Sequence, residues 1–179
     1  MRKLIADGAP SCNLFGADLF PEFIELGYRL FLDREKLAAE QFIAPVNVLD
    51  RGSDAPLFQR LGGQMDYIHL GNLLHLFTWD QQVIIVTLVS KLLKNKPGAM
   101  AVGQQTGSET PGEYGHWVSE KTIFKHNEVS FRKLWSEVPG KWKVGFAFME
   151  VSGGLESQLH KSLLENPHSR LFRFTVERR

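Results

Sequence analysis

The stretch from Gln64 to Gln105 constrains the fold of this chain more than any other part of the sequence. Two short, largely apolar runs, at 64–70 and 99–103, flank a long amphipathic run at 78–96. Parallel strands need a crossover of about a dozen or more residues, usually a helix, and such crossovers are right-handed. The pattern therefore predicts a βαβ unit.

The start, face and end of the central helix are all marked in the sequence. Thr78 and Gln81 have the spacing of a capping box, in which a hydroxyl and an amide satisfy backbone donors at a helix start. Pro97 and Gly98 end the helix after a last turn rich in lysine, which suits the negative end of the helix dipole. Apolar residues share one face, on which lie Ile85, Leu88, Val89, Leu92 and Leu93.

Length and composition indicate an ordinary globular protein. A chain of 179 residues with 43% hydrophobic and 23% charged residues suits a single domain covering 1–179. The formal net charge is +1 and both signs are mixed along the chain, so no nucleic-acid or membrane partner is expected. No apolar run reaches the ~18 residues of a membrane span and no signal peptide is recognisable, which predicts a cytoplasmic protein.

Two short strands are predicted before this unit, and each delivers a polar side chain near its carboxyl end. The run 13–17 leads to Asp18, and the run 42–50, an edge strand by virtue of Pro45, contains Asn47. Ligands of open α/β sheets bind beyond the carboxyl ends of strands, where an acidic side chain can accept ribose hydroxyls. The alternative for Asp18 is that it caps the helix beginning near Pro21, and Asn47 either closes the strand into a turn, its commoner role, or faces an adenine.

Helices are also predicted over 21–33, 55–61 and 127–138, the last capped by Asn127. The first has an apolar face for the core, comprising Phe20, Phe23, Ile24, Gly27, Leu30 and Phe31. The residues from Gln104 to Phe124 predict a long irregular loop, a lid by its aromatic residues and histidine.

The last third of the chain shows two-residue alternation. Lys141–Val151 and 171–176 predict an antiparallel strand pair at one edge of a mostly parallel sheet, with a helix over 155–165 between them. A lone Cys12 excludes an intramolecular disulfide and is interpreted as a small core residue.

No complete catalytic or metal-binding signature is present. The sequence lacks a glycine-rich phosphate loop, a nucleophile elbow and clustered metal ligands, so no metal is expected. The histidines are scattered and each is more typical of a structural or solvated residue; they are His69, His75, His116, His126, His160 and His168.

Six stretches together resemble a known family, the fungal class I S-adenosylmethionine-dependent methyltransferases of secondary-metabolite clusters, especially the carboxyl O-methylating ones of meroterpenoid pathways. They lie at 2–10, 14–19, 26–34, 75–82, 102–107 and 126–135, within the first 150 residues or so. The resemblance implies an α/β, Rossmann-like methyltransferase sheet, mostly parallel with an antiparallel C-terminal hairpin. It also implies S-adenosylmethionine as the cofactor and a small-molecule acceptor.

The resemblance further implies roles for individual residues. Asp18 would hold the cofactor ribose with Leu19 beside it, and Asn47, where the family usually has aspartate, would flank the adenine with Val48. The segment from Gly71 through Asn72 to His75 would line the methionine end. The candidates for positioning the acceptor oxygen are His126, Gln104, Tyr114 and Trp79.

One departure from the family lies at the start. Family members have a strand and a glycine-rich turn just before the counterpart of Arg2, so the resemblance describes an incomplete domain without its first strand. Because that strand normally lies between those at Asn13 and Tyr67, both neighbours should keep unpaired backbone groups. Three explanations remain open. The true protein is longer, a second chain supplies the edge, as in a homodimer, or the fold has closed up and lost the cofactor.

Two functions are compatible with these features. The first is methyl transfer from S-adenosylmethionine to a carboxylate or hydroxyl oxygen of a small hydrophobic metabolite, of polyketide or terpenoid type. Its chemistry depends mainly on positioning, so the missing catalytic triad is no objection. The second is a descendant without methylating activity, acting as a partner subunit or as a cofactor-independent pocket protein.

Overall fold

The computed structural model describes residues 1–52, 55–115, 121–149 and 168–179. Within these residues the chain forms two compact units, Met1–Leu61 and Gly62–Arg179. The predicted helix over 155–165 and the residues His116 and Trp117 lie outside the described residues.

The first unit contains three helices and a small parallel sheet within its described residues. Its helices are α1 (Arg2–Ala6), α2 (Pro21–Phe31) and α3 (Pro56–Leu61), with short 3₁₀ turns at Ser11–Asn13 and Ala39–Gln41. Strand β1 (Gly16–Ala17) pairs in parallel with β2 (Phe42–Ile43). The predicted strands at 13–17 and 42–50 were therefore too long, because a 3₁₀ turn precedes the first and Asn47 turns the chain after the second.

The apolar face predicted for α2 is exposed in the structure. Phe23 and Leu30 keep 61% and 70% of their surface, whereas the buried residue of α2 is Tyr28. Tyr28 donates its hydroxyl proton to the carbonyl of Leu37 at 2.7 Å. Helical periodicity identified the apolar stripe, but the prediction that the core covers it was wrong for the described residues.

The second unit contains the predicted βαβ unit. Strand β3 (Tyr67–Gly71) is followed by a 3₁₀ turn (Leu74–Leu76), α4 (Trp79–Leu92) and β4 (Met100–Ser108), and β3 and β4 are parallel. Thr78 caps α4 as predicted, since its hydroxyl accepts the Gln81 amide at 3.4 Å and the Gln81 side chain accepts the Thr78 amide at 3.2 Å.

The remainder of the second unit is largely antiparallel. A hairpin of β5 (Gly112–Gly115) and β6 (Thr122–Lys125) precedes α5 (Glu128–Ser136), and β7 (Trp142–Phe148) and β8 (Ser169–Arg178) follow. The main sheet has the order β3-β4-β8-β7, with β8 antiparallel to both of its neighbours. The predicted antiparallel pair at the sheet edge is confirmed, and β8 joins it to the parallel pair.

The irregular loop predicted over 104–124 is wrong for its described part. Strand β4 continues to Ser108, and β5 and β6 form a hairpin. Glycines and a proline suggested a loop, but Gly107 is needed within β4, because an added Cβ would lie 2.3 Å from the His126 carbonyl oxygen.

The two faces of the main sheet differ in burial. One face carries aromatic residues of β7 and β8, on which Phe131 of α5 packs with ring centroids 5.3 Å from Phe172 and 4.9 Å from Phe174. The opposite face, which we call the open face, carries exposed residues of three of its four strands, among them Tyr67 of β3, Lys143 of β7 and Arg173 of β8. The core of this unit therefore lies on the side of α4 and α5.

Strand β3 forms one edge of the main sheet. Among the described residues it pairs with β4 alone, and in the first unit β1 pairs with β2 alone. A free strand edge presents unpaired backbone groups to a further strand. Nowhere in the described part of the chain is a helix long and apolar enough to cross a membrane.

Candidate functional site

In the first unit the predicted ribose and adenine residues lie at the carboxyl ends of neighbouring parallel strands. The Asp18 amide donates to the Ile43 carbonyl at 3.3 Å, and the Asp18 carbonyl accepts the Val46 amide at 2.8 Å. These backbone bonds bring Asp18 and Leu19 beside Asn47 and Val48. The structure thus groups four of the predicted cofactor residues.

The polar atoms of this group are only partly engaged. One Asp18 carboxylate oxygen accepts the Phe20 amide at 2.9 Å, a turn preceding α2, and the Asn47 side-chain oxygen accepts the Leu49 amide at 3.1 Å. The turn interpretation is therefore realised for Asn47, whereas Asp18 does not cap α2, because the N-cap residue is Phe20 and no side chain accepts a bond there. Among the described residues, the second Asp18 oxygen and the Asn47 amide nitrogen have no hydrogen-bond partner, and the apolar Leu19 side chain is 48% exposed.

In the second unit a turn follows the carboxyl end of β3. Gly71 pairs with Gln104 of β4, and the Asn72 amide donates to the Gln104 carbonyl at 2.8 Å. Asn72 has a φ of 53°, a left-handed conformation that asparagine tolerates better than most residues. This geometry brings the predicted residues Gly71, Asn72 and Gln104 together.

His75 is held near this turn by a residue that sequence reasoning missed. Its Nδ1 lies 3.0 Å from the Gln105 side-chain oxygen, and Gln105 donates its amide to the Leu70 carbonyl at 2.9 Å. Gln105 is buried, whereas Gln104 faces the open side of the sheet and is partly exposed. Alternation along β4 was the signal that distinguishes these adjacent glutamines.

A second buried network surrounds His126. Its Nε2 lies 2.9 Å from the Gln82 side-chain oxygen and its Nδ1 lies 3.0 Å from the Ser130 hydroxyl. The Gln82 amide donates to the carbonyls of Phe77 and Phe124 at 3.0 and 2.9 Å. His126 is 3% exposed, and burial lowers its pKa to about 3, so the ring is neutral at pH 7.

Trp79 lies beside this network. Its ring centroid is 4.9 Å from that of Phe124 and 5.5 Å from that of His126, and the Lys133 ammonium sits 5.5 Å from the indole centroid. The structure therefore brings together two of the four acceptor-positioning candidates, Trp79 and His126.

Tyr114 belongs to the β5–β6 hairpin. Its hydroxyl lies 2.9 Å from the Ser108 hydroxyl and donates to the Thr110 carbonyl at 2.5 Å. The Lys125 ammonium lies 5.1 Å from its ring centroid. These contacts hold Tyr114 against the end of β4 rather than in the His126 network.

No protein-family model matches the chain. Individual relatives do. The chain is 34% identical over 173 residues to the O-methyltransferase phiE of a fungal species, an alignment covering 90% of this chain and 56% of the relative. It is 39% identical over 149 residues to the O-methyltransferase atr3 of Stereocaulon alpinum, with 80% and 42% covered.

A third relative is the Asnovolin E/Chermesin D methyltransferase nvfJ of Aspergillus novofumigatus, 37% identical over 138 residues that cover 77% of this chain and 48% of the relative. The chain is a homologue of these fungal secondary-metabolite methyltransferases. It spans about half the length of the curated relatives it matches.

Solved structures agree on the fold. The PH0226 protein of Pyrococcus horikoshii matches with a TM-score of 0.56 at 9% identity, covering 93% of this chain and 71% of that one. The 1,6-didemethyltoxoflavin-N1-methyltransferase of Burkholderia thailandensis, with S-adenosylhomocysteine bound, matches at 0.53 and 12% identity, covering 93% and 61%. The predicted Rossmann-like methyltransferase fold is confirmed.

Proposed function

We propose that the chain serves S-adenosylmethionine-dependent methyl transfer to a carboxylate or hydroxyl oxygen of a small hydrophobic metabolite. The observation that carries the proposal is 34% identity to an O-methyltransferase along 90% of this chain. A cytoplasmic location belongs to the same proposal.

The residues of the first unit fit the nucleoside half of such a cofactor. The Asp18 oxygen that has no partner among the described residues can accept ribose hydroxyls, and Leu19 offers an exposed apolar surface beside it. The Asn47 amide nitrogen, which has no partner in the described part of the chain, can donate to an adenine ring nitrogen, with Val48 next to it. For Gly71, Asn72 and His75, the proposed role at the methionine end rests on the resemblance to the family.

The bound cofactor would supply a methyl group on a positively charged sulfur, which a well-placed oxygen can take up with little acid or base assistance. Trp79, Gln104 and Tyr114 are proposed to orient the acceptor. His126 is too buried to meet an acceptor directly, so we assign it a positioning role, holding Trp79 and Phe124 through ring contacts.

Isothermal titration of the folded chain with S-adenosylmethionine and S-adenosylhomocysteine tests the proposal. We expect saturable heat with both ligands, and loss of that heat in Asp18→Ala because the ribose contact disappears. Asp7→Ala is the matched control, since its carboxylate is exposed and bound to Lys3 in the same unit.

Circular dichroism establishes that both variants are folded. A folded wild-type chain that gives no heat with either ligand rules out cofactor binding by this chain, and unchanged affinity in Asp18→Ala rules out the ribose assignment.

A second candidate is a partner subunit or cofactor-independent pocket protein without methylating activity. It is favoured by the edge of β3, which has no neighbour among the described residues and can add a strand from another chain. A homodimer joined at this edge is its simplest form. Sedimentation velocity at increasing concentration distinguishes such a dimer from a monomer.

A further inference from the structure

The exposed apolar side of α2 has the spacing of a helix-pairing seam. Leu19, Phe23, Leu26 and Leu30 follow one another at intervals of four, three and four residues, the a/d spacing with which two helices pack in a coiled coil. All four are exposed, and Leu26 in the middle keeps 55% of its surface. We call these four residues the α2 stripe.

The packing of α2 within its own unit uses other sides of the helix. Tyr28 is buried and its ring lies edge-on to that of Phe42, with centroids 5.7 Å apart. The Arg2 guanidinium lies 4.4 Å from the Phe31 ring centroid, and its Nη2 would be 3.1 Å from a Cβ added to Gly27. These contacts hold α2 in place and leave the α2 stripe facing solvent.

The exposed apolar surface is large for a molecule that stays alone. With Phe20 and Phe31, which are both more than half exposed, the α2 stripe presents roughly 600 Å², the upper end of what a typical monomer leaves in one patch. Two such surfaces packed together would remove about 1,200 Å² from water, the lower end for a specific interface. The area therefore fits a dimer of modest affinity.

Two opposite charges flank the α2 stripe on one side. Glu22 and Arg29 are exposed and seven residues apart, so they occupy equivalent positions along the seam. Neither forms an ion pair with any residue that the structure describes, whereas the nearby Glu25 is paired with Arg34 at 2.6 Å. Charges beside a seam set the orientation in which two helices pair.

These charges favour an antiparallel pair of identical helices. When two copies of α2 run in opposite directions, the same flank of each meets, so Glu22 of either copy faces Arg29 of the other. In a parallel pair this flank would face the one that carries Gly27, and no opposite charges would meet. The helix dipoles also favour the antiparallel arrangement, because each negative end then lies beside a positive one.

We propose that the α2 stripe binds a second copy of this chain, with the two α2 helices antiparallel about a twofold axis. A twofold contact requires a surface that is complementary to itself, and the α2 stripe meets this requirement in charge and in apolar contacts. In the register that pairs Glu22 with Arg29, apolar residues of the two copies also meet in layers, namely Phe23 with Leu26 and Leu19 with Leu30. The contact is separate from the β3 edge and does not depend on cofactor binding.

Sedimentation velocity across the micromolar range tests the proposal. We expect the wild-type chain to dimerise reversibly, and Leu26→Asp to dimerise at least about tenfold more weakly, because it would bury an unpaired carboxylate in the seam. Val129→Asp is the matched control, since it makes a similar change at a residue of α5 that is 75% exposed, and it should dimerise as the wild type does. Circular dichroism establishes that each variant is folded.

Charge exchange tests the antiparallel orientation. Glu22→Arg and Arg29→Glu should each weaken self-association several-fold, because like charges then face each other twice. An equal mixture of these two variants should dimerise as the wild type does, since every flanking contact in the mixed dimer joins opposite charges. The double variant should dimerise equally well for the same reason.

Four results would overturn the proposal. They are a wild-type chain that stays monomeric at the highest concentration, a dimer that Leu26→Asp leaves intact, a dimer that Tyr67→Asp at the β3 edge disrupts instead, and a mixture of the charge variants that associates no better than either alone. A face that a different protein covers belongs to the first case, because the purified chain would then be monomeric. Cofactor heat from a monomeric chain would leave methyl transfer standing and remove only this interface.

Discussion

Two buried glutamines organise the polar interior of the second unit. Gln82 joins the end of the 3₁₀ turn, the end of β6 and His126, while Gln105 joins β3 to His75. A buried amide left without partners costs about 1–3 kcal/mol, so each glutamine specifies a single arrangement of the segments around it. The histidines drew attention in the sequence, but their positions depend on these amides.

The depressed pKa of His126 predicts that the chain loses stability in mild acid. The unfolded chain protonates His126 near pH 6.5, whereas burial holds the folded pKa at about 3. The contribution is therefore complete above pH 6.5 and declines as the pH falls toward 3, by about 1.4 kcal/mol per pH unit. From pH 7.5 to pH 5.0 we expect a loss of about 2 kcal/mol from this residue.

Urea unfolding at the two pH values measures this difference in the wild type and in His126→Gln. The variant should be less stable at pH 7.5, because the network is disturbed, but its stability should change less with pH. If both proteins lose the same free energy on acidification, His126 is not the group responsible.

At the scale of elements, the segments with complete local signals were the predictable ones. The capping boxes of Thr78 and Asn127 fixed where α4 and α5 begin, and alternation identified β7 and β8. Segments whose structure depends on distant neighbours were not predictable. Position 107 of β4 requires glycine because the His126 carbonyl oxygen leaves no room for a Cβ. No local sequence pattern reveals such a close approach.

Removing the cap of α4 tests the helix start directly. Thr78→Ala should lower the free energy of unfolding by about 1 kcal/mol, the usual cost of losing an N-cap side chain. Thr78→Ser keeps the hydroxyl and should stay within a few tenths of a kcal/mol of the wild type. Chemical denaturation of both variants decides the matter, and equal losses would mean that the methyl group matters rather than the cap.

At the scale of the whole molecule, regular hydrogen bonding is unevenly distributed between the two units. The sheet of the first unit consists of strands of two residues each, whereas β4 and β8 pair along nine positions. Local opening requires less free energy where fewer paired and buried groups must separate. If the chain is a single domain over 1–179, as the sequence predicts, the two units should unfold together in one cooperative step.

Amide hydrogen exchange measures this difference. We expect the amides of β4 and β8 to exchange at least about tenfold more slowly than those of β1 and β2, a difference of ~1.4 kcal/mol in opening free energy. Comparable protection in both sheets would contradict the prediction and favour a single cooperative unit.

The candidate site could be predicted only in part. The rule that ligands bind at the carboxyl ends of strands singled out Asp18 and Asn47, because that rule needs only the order of elements. The roles of Gly71 and Gln104 came from the resemblance to the family. Gln105 escaped notice as the partner of His75, since that contact depends on how β4 packs beside a turn some thirty residues earlier in the chain. Sequence alternation reports the face of a residue but not its cross-strand neighbour.

The position of β8 between β4 and β7 also affects how the chain folds during translation. Met100 pairs with Glu177, so β4 leaves the ribosome long before the strand that covers its second side. At about 5–20 residues per second, one edge of β4 waits several seconds for its neighbour. During that interval the unpaired edge of β4 is open to other nascent chains, so the order of the strands sets how long chaperones must shield it.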